Sequence, residues 1–181
     1  MYFAALLARN EDGWQASEPD LDDVETLGDL SDLARAAIAE EETVLVFIEQ
    51  EDAWFGVIRV DGEEDPRIYV SDAAAAARSS YGEILLTDEL LGRDPEDPLD
   101  DLVDLDGTED GDNDDADEDA VPGPTEDHVP AGPLGEAGLL SDLGMSEKEL
   151  LDLSGDGALT GEALGEIAEA IGCADVLEAV R

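Results

Sequence analysis

Cationic side chains are scarce in this sequence. Of 181 residues only eight are Lys or Arg, against 51 Asp or Glu, for a formal charge of −43. Binding nucleic acid through a basic surface depends on cations that displace the counterions of phosphate, so that mode of recognition is excluded. An anionic membrane would repel the chain for the same reason. Cysteine is equally rare. Cys173 stands alone, which rules out an internal disulfide and a multi-cysteine zinc site. It has no basic neighbour in sequence to depress its pKa, so packing after Gly172 is the expectation. Long apolar runs are missing too. Residues 2–8 are apolar but too few to span a bilayer, and no cationic segment precedes them as a signal peptide would require. A soluble cytoplasmic protein is expected. Glycine-rich phosphate loops with a following Lys-Ser or Lys-Thr do not occur, and carboxylates are so common that no single pair points to hydrolysis.

Aromatic residues are few, 4% of the chain, and their placement is informative. Tyr2, Phe3, Trp14, Phe47, Trp54, Phe55, Tyr69 and Tyr81 all lie in residues 1–92, where the main core should form. That region carries a net charge of −18; residues 93–133 carry −16 and residues 134–181 carry −9. The middle segment is the most charge-dense and holds six of the eight prolines. It cannot bury enough apolar surface to offset its chain entropy. Residues 93–133 therefore read as a disordered, self-repelling acidic linker between an α+β sheet domain, 1–92, and a small all-α region, 134–181. His128, the one histidine, falls in that linker, a poor place for a preorganised general base.

Within the first region, Tyr2 to Arg9 is an apolar run, Asn10-Glu11-Asp12-Gly13 is turn chemistry, and Trp14 to Glu18 can return as a second strand. From Thr26 the apolar residues Leu27, Leu30, Leu33, Ala34, Ala37 and Ile38 recur at intervals of three and four, predicting a helix that ends near Glu40. Thr43 to Gln50 reads as a buried central strand, with further strands over Ala53 to Val60 and Arg67 to Val70. Asp72 caps a predicted helix through five alanines to Arg78. The order is β-β-α-β-β-β-α, which favours an antiparallel sheet with helices on one face and resembles small longin or roadblock-like interaction domains at the level of fold. In the third region Ser146-Glu147-Lys148-Glu149 is a capping box, Thr160 opens a second helix closed by Gly172, and Asp175 starts a last short one. Helices this few make a marginal core, so they pack on one another or on the sheet.

One segment invites a metal-site reading. Asp152, Ser154 and Asp156 match the first, third and fifth ligands of an EF-hand loop, with Gly157 at the sixth position. The twelfth position fails: Ala163 replaces the bidentate glutamate, and Glu162 would project from a different direction. The failure argues against calcium, and no cofactor is expected; the alternative to a metal loop is an inter-helix connection rich in turn formers. Asp104 to Asp119 holds ten acids in sixteen residues, where chance matches to the calcium pattern are expected and a solvated tail is the simpler reading. Two further features are candidates for partner binding. Asp20, Asp22 and Asp23 form an acidic lead-in to the first helix, suited to a basic partner or simply solvated. Trp54-Phe55 is either an aromatic contact on the sheet or core packing, and core packing is favoured.

The ordered series Tyr2-Phe-Ala-Ala-Leu-Leu-Ala-Arg9, Asp12-Gly-Trp14, Asp20-Leu-Asp-Asp-Val24, the strand from Trp54-Phe55 to Arg59-Val-Asp-Gly62, Glu64-Asp-Pro-Arg67 and Ser71-Asp-Ala-Ala-Ala-Ala-Ala77 resembles the tRNA adenosine deaminase-associated proteins of actinobacteria. The likeness extends to Leu143-Gly-Met145 and Ile167-Ala-Glu-Ala-Ile-Gly172. The resemblance implies association with the enzyme that converts wobble adenosine to inosine, and it attaches no catalytic residues. The chain is not itself that enzyme. A zinc deaminase needs a His or Cys ligand, a glutamate two residues on and a Pro-Cys-x-x-Cys pair, which His128 and Cys173 cannot supply. The expectation is a non-enzymatic accessory protein whose partner is the deaminase or another basic protein, with a calcium-responsive C-terminal module as the alternative. Oligomeric state is not legible.

Overall fold

The computed structural model describes residues 2–37, 43–50, 53–92, 129–155 and 160–181. Most of the predicted linker, with His128 and the Asp104–Asp119 run, lies outside the described residues, as does the far end of the predicted first helix.

The chain opens with a hairpin, β1 (Tyr2–Asn10) and β2 (Gly13–Ser17), turning at Glu11-Asp12. Gly13 closes the turn at φ 123°, a conformation that an L side chain rarely adopts. Helix α1 (Leu27–Ala36) begins in a capping box in which Thr26 accepts from the Asp29 amide and the Asp29 side chain reaches back to Thr26. Its apolar stripe buries Leu30 and Ala34. Strands β3 (Thr43–Gln50), β4 (Trp54–Asp61) and β5 (Arg67–Val70) follow as an antiparallel meander. Strand β1 pairs on its other side with β3, so α1 carries the chain across one face of the sheet from β2 to β3.

The alanine run behaves differently from the expectation of one helix to Arg78. Helix α2 (Ala73–Ala76) stops after four residues, and a second helix, α3 (Ser80–Leu85), starts at a new cap where Ser79 Oγ accepts from the Gly82 amide at 3.0 Å. Gly82 lies directly against the end of α2: a Cβ there would fall 2.0 Å from the Ala76 carbonyl oxygen. Alanine propensity favours a longer helix, but the tight turn lets Leu85 reach the core under the sheet.

After the acidic segment the chain rejoins the same sheet. Leu134–Gly135 forms β6 beside β5, and the strand order among the described residues is β2-β1-β3-β4-β5-β6, antiparallel throughout. A 3-10 turn (Ala137–Leu140) leads into α4 (Glu147–Leu153), α5 (Thr160–Ile171) and α6 (Ala174–Ala179). The Ser146–Glu149 capping box is present as expected, and the later helices begin within a residue of their predicted starts.

Strand alternation sorts the sheet residues into two cores. Leu6, Val46, Trp54, Ile58 and Val70 face α1, α2 and α3. Leu7, Leu45, Phe47, Phe55, Val57 and Tyr69 face the C-terminal helices, meeting Leu139, Leu150, Leu164, Ile167 and Leu177. The C-terminal elements thus form a third layer, and the sheet is covered on both faces. Among the described residues no helix is long and apolar enough to cross a membrane.

Candidate interaction surfaces

The acidic lead-in to α1 is ordered by its apolar residues. Leu21 and Val24 are buried, and between and around them Glu18, Asp20, Asp22, Asp23 and Glu25 are exposed. Asp20 Oδ1 accepts from the Asp22 amide at 3.1 Å, a local turn that fixes the backbone without consuming the other carboxylates. The β4–β5 loop carries a second group of exposed acids. Arg35 of α1 donates from Nε to the Gly62 carbonyl at 3.0 Å and from Nη2 to the Glu64 carbonyl at 2.9 Å, which draws exposed Glu63, Glu64 and Asp65 beside exposed Asp32. Hydrogen bonds from the hydroxyl and amide of Thr26 hold the Asp29 carboxyl below the usual carboxylate range. The three candidates Asp20, Asp22 and Asp23 are exposed on the segment that leads into α1, the helix whose Arg35 holds the β4–β5 loop.

Trp54 and Phe55 are placed back to back. The Trp54 side chain enters the core under α2 and α3, with Nε1 donating to Gln50 Oε1 at 2.9 Å; Phe55 enters the opposite core beside Tyr69, ring centroids 6.3 Å apart. Both are core residues, at most 1% exposed. A partner reaching either would have to lift a layer of helices.

The metal-site candidates among the described residues do not converge. Asp152 Oδ2 accepts from Lys148 Nζ at 3.1 Å on the exposed side of α4. Ser154 turns inward: its hydroxyl meets the Tyr69 hydroxyl and donates to the Leu150 carbonyl at 3.1 Å. Glu162 is exposed in the first turn of α5, and Asp156 lies outside the described residues. No group of three or more His, Cys, Asp or Glu among the described residues is arranged to hold a metal ion. Cys173 is buried and its thiol is pushed up to about 12, chiefly by desolvation, so it is a packing residue with no thiolate at neutral pH.

Sequence reasoning missed the polar seam that fastens the third layer. Arg59 of β4 is 7% exposed and sits on the face toward the C-terminal helices. Its Nε donates to Asp61 Oδ2 at 2.7 Å, Nη1 donates to the Leu139 carbonyl at 2.6 Å, and the guanidinium grips both oxygens of Asp142. The Arg59 hydrogen bonds, opposed by partial desolvation, hold the Asp142 carboxyl below the usual range, while the carboxylates keep the guanidinium protonated. At the other end of the same face Arg181 Nη2 bonds the buried Glu49 carboxylate at 3.2 Å and Arg181 Nη1 bonds the Gly161 carbonyl at 2.7 Å. The Trp14 indole donates to the Ile171 carbonyl at 3.1 Å. A sequence signal existed in part: an arginine with an aspartate two residues on, on one face of an otherwise apolar strand, asks for a partner.

No curated protein and no solved structure matches the chain. A family model does, that of the Rv3753c-like tRNA adenosine deaminase-associated protein, over residues 2–117. The match takes in β1 to β5, α1 to α3 and much of the acidic segment, and it stops before β6 and the third layer. On that match over more than half its length, the chain belongs to the family of Rv3753c-like tRNA adenosine deaminase-associated proteins.

Proposed function

We propose that the chain is a non-enzymatic accessory protein of tRNA adenosine deaminase and acts by direct contact with that enzyme. The family match carries this reading, since the family is described by association with the deaminase. A charge of −43, with exposed acids on the lead-in of α1 and on the β4–β5 loop, supports contact with a basic protein face. An enzyme that handles tRNA needs such a face. Acid-to-base contacts steer association and weaken with salt, so the accessory protein would compete with tRNA for the same cationic surface or delay its engagement. Co-purification of the two proteins at low and at physiological salt tests the reading. A complex that is retained at low salt and reduced at physiological salt is expected; absence of a complex at both would overturn it.

A further inference from the structure

Among the described residues the outer side of β2 is paired with no strand. Hydrogen bonds alternate along antiparallel strands, so a single fixed bond sets the pattern for a whole sheet. The Ser71 amide donates to the Phe55 carbonyl at 2.9 Å, one step beyond the Gly56–Val70 pair that ends the β4–β5 register. Odd-numbered residues of β4 therefore bond β5, and even-numbered ones bond β3. Carrying this through Val44 opposite Val60, Leu7 opposite Leu45 and Ala8 opposite Gln15 reaches β2. There Gly13, Gln15 and Ser17 bond β1, and Trp14 and Ala16 direct their N–H and C=O groups away from the sheet. The bond from the Glu136 amide to the Ile68 carbonyl at 2.9 Å agrees with the same alternation on the far side.

Edges of this kind are usually blunted by proline, lysine, a bulge or an inward charge. Gly13–Ser17 has none of these. The strand is also held in place from behind: Trp14 and Ala16 pack against the third layer, and the Trp14 indole is tied to Ile171. The opposite edge, β6, is two residues long. Exposed acids bracket β2, Glu11 and Asp12 at its start and Glu18 and Asp20 beyond its end. A second copy of the chain pairing antiparallel along this edge would set Glu11 and Asp12 against Glu18 and Asp20 of its mate, like charge to like. A strand with Lys or Arg at both ends would meet opposite charge.

We propose that the outer edge of β2 receives an extended, basic segment of a partner protein by strand addition, with the N–H and C=O groups of Trp14 and Ala16 supplying the backbone bonds and the bracketing acids selecting the charge. The identity of the partner as the deaminase rests on the accessory-protein reading; the edge itself does not.

Amide exchange on the full chain tests this with two probes, the deaminase and a synthetic heptapeptide of alternating Lys and Val. Either probe should slow exchange at the Trp14 and Ala16 amides, and Ala16→Pro should weaken binding of both by about tenfold through the lost donor and the blocked approach. Proline is tolerated on an edge strand where its missing N–H faces solvent, and exchange in the unsubstituted chain needs no variant at all. If the peptide protects these amides while the deaminase does not bind, the edge stands and the accessory reading falls. If the deaminase binds with Trp14 and Ala16 unprotected and Ala16→Pro without effect, the edge falls and the accessory reading stands. Binding of neither probe overturns both. Concentration-dependent protection without any probe overturns the basic segment in favour of a second copy.

Discussion

At the residue scale, Arg59 is the group on which the third layer most depends. It is nearly buried and satisfies two carboxylates and the Leu139 carbonyl at once. Replacing it by alanine leaves those acceptors facing a partly desolvated space, and we expect Arg59→Ala to cost about 3 kcal/mol in urea unfolding. Asp142 is more exposed, with 60% of its side chain accessible, so solvent screens its share. Asp142→Asn should cost less, about 1 kcal/mol. The two differ in pH dependence. Asp142 has a lowered pKa when folded, so its contribution is fully present above the ordinary carboxylate range and is lost as the pH falls through its folded value. Acid titration of stability should therefore show a smaller loss for Asp142→Asn than for the unsubstituted chain; identical acid limbs would show that the pair contributes nothing. Only the Arg59–Asp61 half of this was legible in the sequence. Arg59 and Asp61 are two residues apart, but Asp142 is 83 residues from Arg59, and no local pattern announces a bond across such a separation.

At the scale of elements, legibility followed locality. Strands β1, β3, β4 and β5 were readable because apolar and β-branched runs bounded by turn residues are a local signal. The Ser146–Glu149 cap was readable for the same reason. Two of the elements that went unread, α3 and β6, owe their existence to close approaches between backbones. Gly82 starts α3 by touching Ala76. Gly135 lets β6 form at φ 105°, and a Cβ at that position would lie 2.1 Å from the Ile68 carbonyl oxygen. Gly135→Ala should displace β6 from β5, lowering stability by more than about 1 kcal/mol and exposing Tyr69 fluorescence to quencher. Unchanged stability and quenching would show β6 to be ornamental. The candidate surface divides in the same way. The acids of the α1 lead-in were visible in sequence, whereas the attachment of α1 itself to the acidic β4–β5 loop required Arg35 to bridge the two. The aromatic pair Trp54-Phe55 read equally well as contact or core until strand alternation sent the two rings to opposite faces.

For the whole molecule, charge opposes the fold that the two cores sustain. With −43 distributed over 181 residues, compaction brings like charges together, and added salt screens that repulsion more than it weakens the buried Arg59 contacts. Thermal unfolding at neutral pH should move upward between low and moderate sodium chloride, by about 2–4 °C for each kcal/mol of repulsion screened. A midpoint that falls with salt would assign net stability to surface ion pairs instead. The split of acidity into regions keeps its meaning here, for the apolar sheet faces lie in the most aromatic part of the chain and the densest acidity lies between β5 and β6. That ordering has a consequence for synthesis. Strands β5 and β6 are neighbours in space, yet residues 71–133 must be made between them. At about 5–20 residues per second the ribosome delivers the sheet several seconds before its last layer. During that interval Phe47, Phe55 and Val57 lack the third layer that covers them in the finished fold, and the segment being added next carries −16.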